Sequence, residues 1–328
     1  MSKSKKVRWA ILGAGQIANQ FASDFKNVRN ADLIAVASSD IKRAKTFAAR
    51  YNIHYALTYD ELYNSELVEA VYVATTHNFH FEHTLACMQH GKAVLCEKPI
   101  TINDAEFKKL AAFANEKQVF LMEAMWTYFL PAMKKVKDWI EEGRIGSIQL
   151  IQADFSFLAE YNPLARLFNP MMAGGALLDV GIYPIAFSLF FMNRKPDEVK
   201  VSAILGDSKV DEFVGMIFKF GDVSALLFSS LRFNSLNKGI IAGDKGYIEI
   251  PDFYKAASAQ LYNSEHQLVE SYGDQRTTLG YNYEIQEVTD CILNNSLESK
   301  IVTLARSNEL QEIMTEIRRQ INLKYPME

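Results

Sequence analysis

The stretch "GAGQIA", from Gly13 to Ala18, follows the apolar run "VRWAIL" near the start of the chain. It is a GxGxxG pattern with alanine in the last position. Gly13 allows a tight turn, Gly15 lets the backbone approach a pyrophosphate, and Ala18 is small enough for a helix to pack closely on the strand. Phosphates then bind the amides of Gln16 and Ile17, which open the helix. Other glycine-rich turns produce the pattern by chance, but between a strand and a helix it predicts dinucleotide binding.

The chain around this loop alternates short apolar runs with amphipathic stretches. The runs "VRWAILG", "ADLIAVAS", "AVYVAT", "AVLCE" and "VFLMEA" predict strands, and stretches such as "NDAEFKKLAAFANEK" predict helices. Strands that are apolar throughout are buried on both faces, which is typical of a parallel sheet covered by helices. We therefore predict an α/β fold in which residues 1–123 form a dinucleotide-binding Rossmann domain with a doubly wound parallel sheet.

The pattern changes after Glu123. A helical stretch, "AMKKVKDWIEEG", leads to runs with two-residue alternation and glycine turns, among them "SIQLIQADFSF", "DEFVGMIFKF" and "VSALLFSSLRF". This alternation predicts an antiparallel sheet. Two helices are expected to close the chain, the first from about Tyr283 and the second from about Leu304. Residues 124–328 are therefore predicted to form a second, α+β domain that binds substrate and carries the oligomer contacts.

The composition argues against several classes of partner. The 328 residues have a formal net charge of −4, and the 35 lysines and arginines are scattered, so neither nucleic acid nor an anionic membrane is an expected partner. The apolar run behind the N-terminal lysines is too short for a membrane span or a secretory signal. The three cysteines lie far apart in apolar runs, which fits a reducing cytoplasm. A small molecule is the expected ligand.

The tip of the second predicted strand bears on the choice of cofactor. An NAD site usually presents a carboxylate there to the ribose 2′-hydroxyl. This chain has Ser38 and Ser39 instead, and Asp40 is more readily explained as a helix N-cap. Two small hydroxyls followed by Lys42 and Arg43 suit a 2′-phosphate, although cations on a helix face are commonly just solvated. The sequence therefore favours NADP over NAD, with Arg43 as the phosphate contact.

The stretch "TTHNFHFEHT" contains three histidines, His77, His80 and His83, and invites a metal hypothesis. Helical geometry argues against it, because residues six apart lie on different sides of a helix. The stretch follows a buried strand, at the carboxyl edge of the sheet where ligands of open α/β folds bind. We predict Thr75, Asn78 and His80 as neighbours of the cofactor or substrate; each has an alternative as an ordinary surface residue.

Two further motifs supply the candidate chemistry. In "CEKP", Glu97 and Lys98 come at the carboxyl end of another parallel strand, where a nicotinamide would rest; the alternative is a rim ion pair between them. In "GGALLDVGIYP", Asp179 and Tyr183 are four apart and share a face if the segment is helical. A tyrosine is a poor base unless a nearby cation favours the phenolate, which Lys98 could provide. The alternative is a buried core tyrosine.

The stretches "GAGQIA", "CEKP", "LMEAMWTYFLP" and "GGALLDVGIYP" together resemble the glucose-fructose oxidoreductase/inositol dehydrogenase/rhizopine catabolism (Gfo/Idh/MocA) family, over nearly the whole chain. The stretch "EAMWTYFLPA" and the tyrosine four after the aspartate are similar to its dimeric dihydrodiol dehydrogenase and NADP-dependent D-xylose dehydrogenase branch. The resemblance implies catalytic roles for Lys98, Asp179 and Tyr183. It also implies an open-faced sheet in the second domain that often forms a homodimer interface. Ser39 departs from the dihydrodiol branch, which has arginine there, whereas Arg43 is kept.

The resemblance implies a dehydrogenase that transfers a hydride between NADP or NAD and a carbinol of a sugar, polyol or cyclic diol. Trp126, Phe155 and Arg166 are predicted to contact the substrate, since aromatic faces suit both sugar rings and aromatic diols. Two alternatives stay open: a non-catalytic nucleotide-binding sensor or scaffold, and a redox-assisted glycosidase of the same family. The sensor would not need Lys98 and Tyr183 together, so their joint presence favours the enzyme.

Overall fold

The computed structural model describes residues 5–328, which form one parallel and one mostly antiparallel sheet. By contact the described chain divides into two compact units. The first comprises the residues up to Trp126 together with Thr277–Asn308, and the second comprises Thr127–Arg276 together with Glu309–Glu328. The α/β fold class predicted from the sequence is confirmed.

The first unit is built on a parallel sheet of six strands, counted within residues 5–328, in the order β3-β2-β1-β4-β5-β6. The chain runs outward from β1 to β3 and then returns to place β4 on the other side of β1, so the strand order reverses there. Ligands of open α/β sheets bind at such a reversal, outside the carboxyl ends of the strands. The strands and helices are β1 Val7–Leu12, α1 Gln16–Phe25, β2 Ala31–Ala37, α2 Ile41–Tyr51, β3 Tyr55–Leu57, α3 Tyr59–Tyr63, β4 Ala70–Val73, α4 His77–Gln89, β5 Ala93–Glu97, α5 Asp104–Lys117, β6 Leu121–Ala124 and α8 Tyr281–Leu293.

The core of this unit follows from the apolar strands. Every residue of β4 and β5 is buried, as expected for strands covered on both faces. Side chains from one face of the sheet pack with residues of α5 in a hydrophobic core cluster that includes Val71, Val94 and Phe107. Because the strands are fixed by this burial, the loops at their carboxyl ends are held in defined positions.

The segment Thr277–Asn308 packs with the first unit although the sequence division at 123/124 does not include it. The carboxylate of Asp24, buried at the end of α1, accepts hydrogen bonds from the backbone N–H groups of Leu279, Gly280 and Tyr281 at 2.8 to 3.0 Å. These amides open α8 and have no partner within their own helix. Sequence periodicity shows the helix but not the buried aspartate that anchors its start.

The second unit is built on a sheet in the order β14-β13-β12-β11-β7-β10-β9-β8. Its strand pairs are antiparallel except for β7 with β10, which confirms the mostly antiparallel sheet. The elements are α6 Pro131–Glu141, β7 Ile148–Ser156, α7 Ile182–Met192, β8 Glu198–Leu205, β9 Asp211–Phe220, β10 Val223–Ser230, β11 Gly239–Gly243, β12 Gly246–Ile250, β13 Ser258–Asn263, β14 Leu268–Gly273 and α9 Leu304–Gln320, which begins in the first unit.

One face of this sheet is covered by α7 and the opposite face is open. The residues of α7 from Ile182 to Phe190 are buried. The apolar segment Pro170–Met192 is long enough to cross a membrane by length and composition alone, but 83% of its most apolar part is buried inside the unit. That burial is typical of a core helix.

Candidate active site

The loop after β1 has the backbone that the glycine pattern predicts. Gly13 has a φ of +109°, and a Cβ at this position would lie 2.6 Å from the carbonyl oxygen of Ala74. Glycine is therefore required here by both backbone conformation and space. Gly15 differs, because no described atom lies within 4 Å of where its Cβ would be. The open side of Gly15 leaves room for a ligand to approach the backbone.

The residues around this loop fit the pyrophosphate and ribose of a dinucleotide. Within the described chain no side chain caps the start of α1 at Gly15, so the first amides, including those of Gln16 and Ile17, lack a side-chain acceptor. Such a helix start attracts anions. At the end of β4, the buried Oγ1 of Thr75 has no hydrogen-bond partner among the described residues. A ligand hydroxyl or amide would satisfy it.

The tip of β2 carries two serines in different environments. Ser38 is buried and its hydroxyl accepts the backbone N–H of Asp40 at 3.3 Å, whereas Ser39 is exposed. Asp40 caps α2 by accepting the N–H of Lys42 at 2.9 Å, which confirms its interpretation as an N-cap. Arg43 is exposed on the first turn of α2. The carboxylate nearest the strand tip is thus already engaged by the helix.

His80 connects two of the predicted motifs. Its Nδ1 lies 2.7 Å from the carbonyl oxygen of Pro99, and its Nε2 lies 3.2 Å from that of Thr75. We place the proton on Nδ1, the closer contact, since a neutral imidazole donates from one nitrogen only. Burial lowers the pKa of His80 to about 4, against the opposing effect of the two carbonyls. A ligand contact by His80 stays a prediction; in the structure it holds the "CEKP" turn against the end of β4.

The strand end at Glu97 and Lys98 contains a buried carboxylate. Glu97 is 6% exposed and accepts hydrogen bonds from the Tyr72 hydroxyl and, at 3.2 Å, from the backbone N–H of Lys98. Lys98 is half-buried. On α8, Glu284 is fully buried, and burial together with the charge of Glu97 raises the pKa of its carboxyl well above the ordinary value. Glu284 is therefore a buried acidic neighbour of the motif that sequence reasoning missed, since no local pattern marks it.

The remaining residues predicted in the first unit lie in its core or at its edge. Trp126 is 6% exposed and stacks on the Tyr281 ring with centroids 4.7 Å apart. Asn78, half-buried at the start of α4, accepts the Thr76 hydroxyl at 2.7 Å. His83 binds the Tyr63 hydroxyl through Nδ1 at 2.6 Å. Within residues 5–328, no group of three or more His, Cys, Asp or Glu residues is arranged to hold a metal ion.

In the second unit the predicted aspartate and arginine form an ion pair. The Arg166 guanidinium donates to Oδ1 of Asp179 at 2.8 Å, and the aspartate side chain is 13% exposed. Asp179 lies in a π-helical turn, Leu177–Gly181, that leads directly into α7. The sequence predicted a regular helical spacing from Asp179 to Tyr183, and the π turn interrupts it. Such single turns are rare and occur frequently at functional sites.

Tyr183 belongs to a cluster of three aromatic rings. Its centroid lies 5.5 Å from that of Phe155 on β7 and 6.0 Å from that of Tyr254. Phe155 and Tyr254 stack nearly parallel with centroids 3.8 Å apart. The structure thus brings together Phe155, predicted to contact the substrate, and Tyr183, predicted to be catalytic, and it adds Tyr254, which sequence reasoning missed. Tyr254 lies in a single 3₁₀ turn, Phe253–Lys255, after β12, which is too short for a periodic pattern to mark a residue.

Comparison with known proteins is consistent with this fold and these motifs. Residues 7–125 match a family model described as the oxidoreductase family with an NAD-binding Rossmann fold, and residues 133–249 match the GFO/IDH/MocA C-terminal domain. Trans-1,2-dihydrobenzene-1,2-diol dehydrogenase of Mus musculus is 34% identical over 335 residues, which cover 98% of this chain and 99% of the relative. The chain therefore belongs to the GFO/IDH/MocA oxidoreductase family. It is an NAD(P)-dependent dehydrogenase acting on CH–OH groups.

Two solved structures show the same fold at low sequence identity. Aldose-aldose oxidoreductase from Caulobacter crescentus, complexed with glycerol, has a TM-score of 0.88 at 21% identity and covers 97% of this chain and 98% of its own. A 3-ketoreductase from Actinomadura kijaniata, in complex with NADP and TDP-benzene, has a TM-score of 0.85 at 23% identity, with 96% and 98% coverage.

Proposed function

We propose that this protein oxidises a carbinol of a cyclic diol or sugar, and reduces the corresponding carbonyl, with NADP(H) as the preferred cofactor. The observation that carries the proposal is the second unit's cluster of Phe155, Tyr183 and Tyr254, together with the Arg166–Asp179 ion pair, whose aspartate lies four residues before Tyr183. Aromatic faces suit ring substrates, and a phenol and a carboxylate provide hydrogen-bonding groups for hydroxyls. The Mus musculus relative, named for a cyclic diol, supports this substrate class.

We assign the acid/base step to Tyr183, assisted by Lys98. A nicotinamide bound at the carboxyl edge of the first unit's sheet would supply the hydride acceptor for the carbinol carbon. The hydroxyl proton must leave at the same time, and Tyr183 is the group proposed to accept it. The Lys98 ammonium favours the negative charge that develops on oxygen. Asp179, already held by Arg166, orients a substrate hydroxyl.

The cofactor preference is supported by the tip of β2. Asp40 is occupied as an N-cap, and no other carboxylate lies in the run from Ser38 to Arg43. Ser39 and Arg43 are exposed, as a contact to a 2′-phosphate requires. The 3-ketoreductase complex contains NADP, but another structural neighbour, levoglucosan dehydrogenase, contains NADH. Measuring kcat/KM with both cofactors tests the preference, and a clear advantage of NAD(H) would refute it.

The reaction itself is tested by a substrate panel. Cyclic trans-diols, aldoses and polyols are incubated with NADP or NAD, and the matching carbonyls with the reduced cofactors, while absorbance of the reduced nicotinamide is followed. We expect turnover of at least one ring-shaped carbinol. Cofactor binding without hydride transfer in either direction would favour the sensor alternative. Glycoside cleavage without net accumulation of reduced cofactor would favour the glycosidase alternative.

We also propose a homodimer formed through the open face of the second unit's sheet. Exposed apolar residues lie on this face: Ile217 and Leu226 are cross-strand neighbours, 51% and 39% exposed, and Ile204 on β8 is 46% exposed. A groove of about 600 Å³ lies on the same face. Exposed apolar patches of this kind mark interaction sites. Sedimentation should give a dimer that Ile217→Glu dissociates, and a monomeric parent protein would refute the proposal.

The cytoplasmic location stays a prediction.

A further inference from the structure

The Gly174–Gly175 segment that begins the proposed catalytic region is held by a buried carboxylate. Asp211, at the start of β9, is fully buried, and its Oδ2 accepts the backbone N–H of Leu177 at 2.6 Å. Leu177 is the first residue of the π turn that contains Asp179. A Cβ on Gly175, whose φ is +118°, would overlap the other carboxylate oxygen. The glycine thus lets the carboxylate reach the start of the turn.

The same segment is also held at Gly174, by residues of α9 and of the stretch that follows it. The Tyr325 hydroxyl, buried, donates to the carbonyl oxygen of Gly174 at 2.7 Å. Arg318, 3% exposed, lies over the Tyr325 ring at 4.9 Å and makes two hydrogen bonds to the Glu328 carboxylate at 2.7 and 2.8 Å. Two carboxylates, one cation and one phenol therefore surround a short stretch of backbone.

The electrostatics show that this arrangement is costly. Burial raises the pKa of the Asp211 carboxyl to about 7, although the Leu177 amide and the Arg318 charge oppose that rise. The charged and titratable groups that interact with Asp211 are Arg318 on α9 and Tyr325 after it, and Glu328 interacts in turn with those two residues. A well-packed apolar side chain in place of a buried charge is often neutral or stabilising. Stability alone therefore gives no reason for a carboxylate at this position.

We propose that Asp211 is a positioning residue: together with Tyr325 it fixes residues 174–183 and so sets the placement of Asp179 and Tyr183 for the reaction. The expected loss of kcat rests on the proposed function of Tyr183. The expected effect on the conformation of residues 174–183 does not, because the contacts to Gly174 and Leu177 exist whatever the substrate. A displacement of about 1 Å at a reacting group lowers rate by about 100-fold.

The test compares Asp211→Ala, Asp211→Asn and Tyr325→Phe in the full chain, with Glu212→Gln as the matched control. Glu212 is the adjacent carboxylate on β9 and faces Arg232 instead, at 3.4 Å. Three quantities are measured: amide hydrogen exchange of residues 174–183 by mass spectrometry, kcat with the best substrate of the panel, and the affinity for NADPH. The exchange measurement needs no substrate.

We expect Asp211→Ala to speed exchange in 174–183 and to lower kcat about 10- to 100-fold with unchanged NADPH affinity. Asp211→Asn should restore most of kcat, since its amide oxygen still accepts the Leu177 N–H. Tyr325→Phe should give smaller changes of the same sign, and it keeps the test decisive if the alanine variant does not fold. Glu212→Gln should match the parent.

Unchanged exchange and unchanged kcat in Asp211→Asn and Tyr325→Phe, with a folded Asp211→Ala that also matches the parent, would overturn the inference. Faster exchange in 174–183 with normal kcat would overturn the catalytic consequence. If the parent protein turns over no substrate of the panel, the proposed function fails. Local exchange in the variants then still decides whether Asp211 positions the segment.

Discussion

The imidazole Nδ1 of His80 lies 2.7 Å from the carbonyl oxygen of Pro99, the residue directly after Lys98. Because Nε2 faces the Thr75 carbonyl at 3.2 Å, one buried ring spans the ends of β4 and β5. Thr75, predicted to contact the ligand, and Lys98 lie at these two strand ends. The neutral imidazole therefore contacts both strand ends at once.

The first prediction concerns acid stability. Because the pKa of His80 is lowered to about 4 in the folded protein, the unfolded chain binds a proton between pH 6.5 and 4 and the folded chain does not. The contribution of His80 to the free energy of unfolding should therefore fall as pH drops through this window, by up to about 3 kcal/mol. Denaturation of the parent and the variants from pH 8 to 4 measures it as a difference between their pH slopes. His80→Asn should remove this contribution and change the slope relative to the parent, while His54→Asn, at an exposed histidine, should not. Equal slopes in all three proteins would contradict the argument.

The second prediction separates the two glycines of the nucleotide loop. Gly13→Ala places a Cβ 2.6 Å from a carbonyl oxygen at a φ of +109°, so it should destabilise the protein by about 1 to 3 kcal/mol. Gly15→Ser adds its Cβ where no described atom lies within 4 Å, and serine is a good N-cap. It should change stability by less than about 0.5 kcal/mol yet weaken NADPH binding about tenfold or more. Thermal melting and fluorescence titration measure both. Normal nucleotide affinity in Gly15→Ser would place the pyrophosphate elsewhere.

The third prediction concerns Arg43 and the 2′-phosphate. Arg43→Ala should weaken NADPH binding about 10- to 100-fold, the value of a charge-assisted contact, and leave NADH binding nearly unchanged. Lys45→Ala, another exposed cation on α2, is the control and should affect neither. Titration calorimetry with both nucleotides gives the comparison. An equal loss of affinity for NADPH and NADH would show that Arg43 does not bind the 2′-phosphate.

The fourth prediction tests Tyr183 against its neighbour Tyr254. Tyr183→Phe keeps the ring and removes the proton relay, so kcat should fall by about 10² to 10⁴ while NADPH affinity is retained. Tyr254→Phe removes a hydroxyl from the same aromatic cluster and should retain most of kcat. Steady-state kinetics in both directions distinguish them. If Tyr254→Phe shows the larger loss, the acid/base assignment moves to Tyr254.

The fifth prediction concerns Lys98. Lys98→Met removes a cation from the end of β5, so kcat should fall and the limb of the pH–rate profile assigned to the tyrosine should move to higher pH. Combined with Tyr183→Phe, the loss should be less than the product of the single losses, because the two residues act as one unit. Asp179→Asn should lower kcat less than either of these two substitutions. Lys109→Met, at an exposed lysine of α5, is the control. Fully multiplicative losses would separate the roles of Lys98 and Tyr183.

The nucleotide half of the protein could be predicted from the sequence because its signals are local. The glycines of the β1–α1 loop and the N-cap role of Asp40 each depend on backbone geometry within a few residues. Glu284 and Asp211 could not be predicted in this way. Their environments are created by strands and helices distant in sequence, and a single carboxylate in an amphipathic run has no pattern of its own.

The π turn and Tyr254 show the same limit in the second unit. The expectation that Asp179 and Tyr183 share a helix face assumes 3.6 residues per turn. A π turn has more residues per turn, so it changes the angle between the two side chains although the sequence separation is the same. Tyr254 joins the aromatic cluster from a 3₁₀ turn of three residues, which has no sequence pattern of its own. Phe155 was predicted because an aromatic face suits a ring substrate, and its place on a strand follows from the alternation of the run that contains it.

The chain passes between its two units three times, after Trp126, after Arg276 and within α9. For protein engineering, this means that the second unit consists of two chain segments, Thr127–Arg276 and Glu309–Glu328, and cannot be detached by one cut. A fragment that stops at Trp126 would leave Asp24 without its three amide donors and Trp126 without the Tyr281 ring. Chimaeras that exchange substrate units between relatives must therefore be spliced at all three crossings, with the α9 join kept in helical phase.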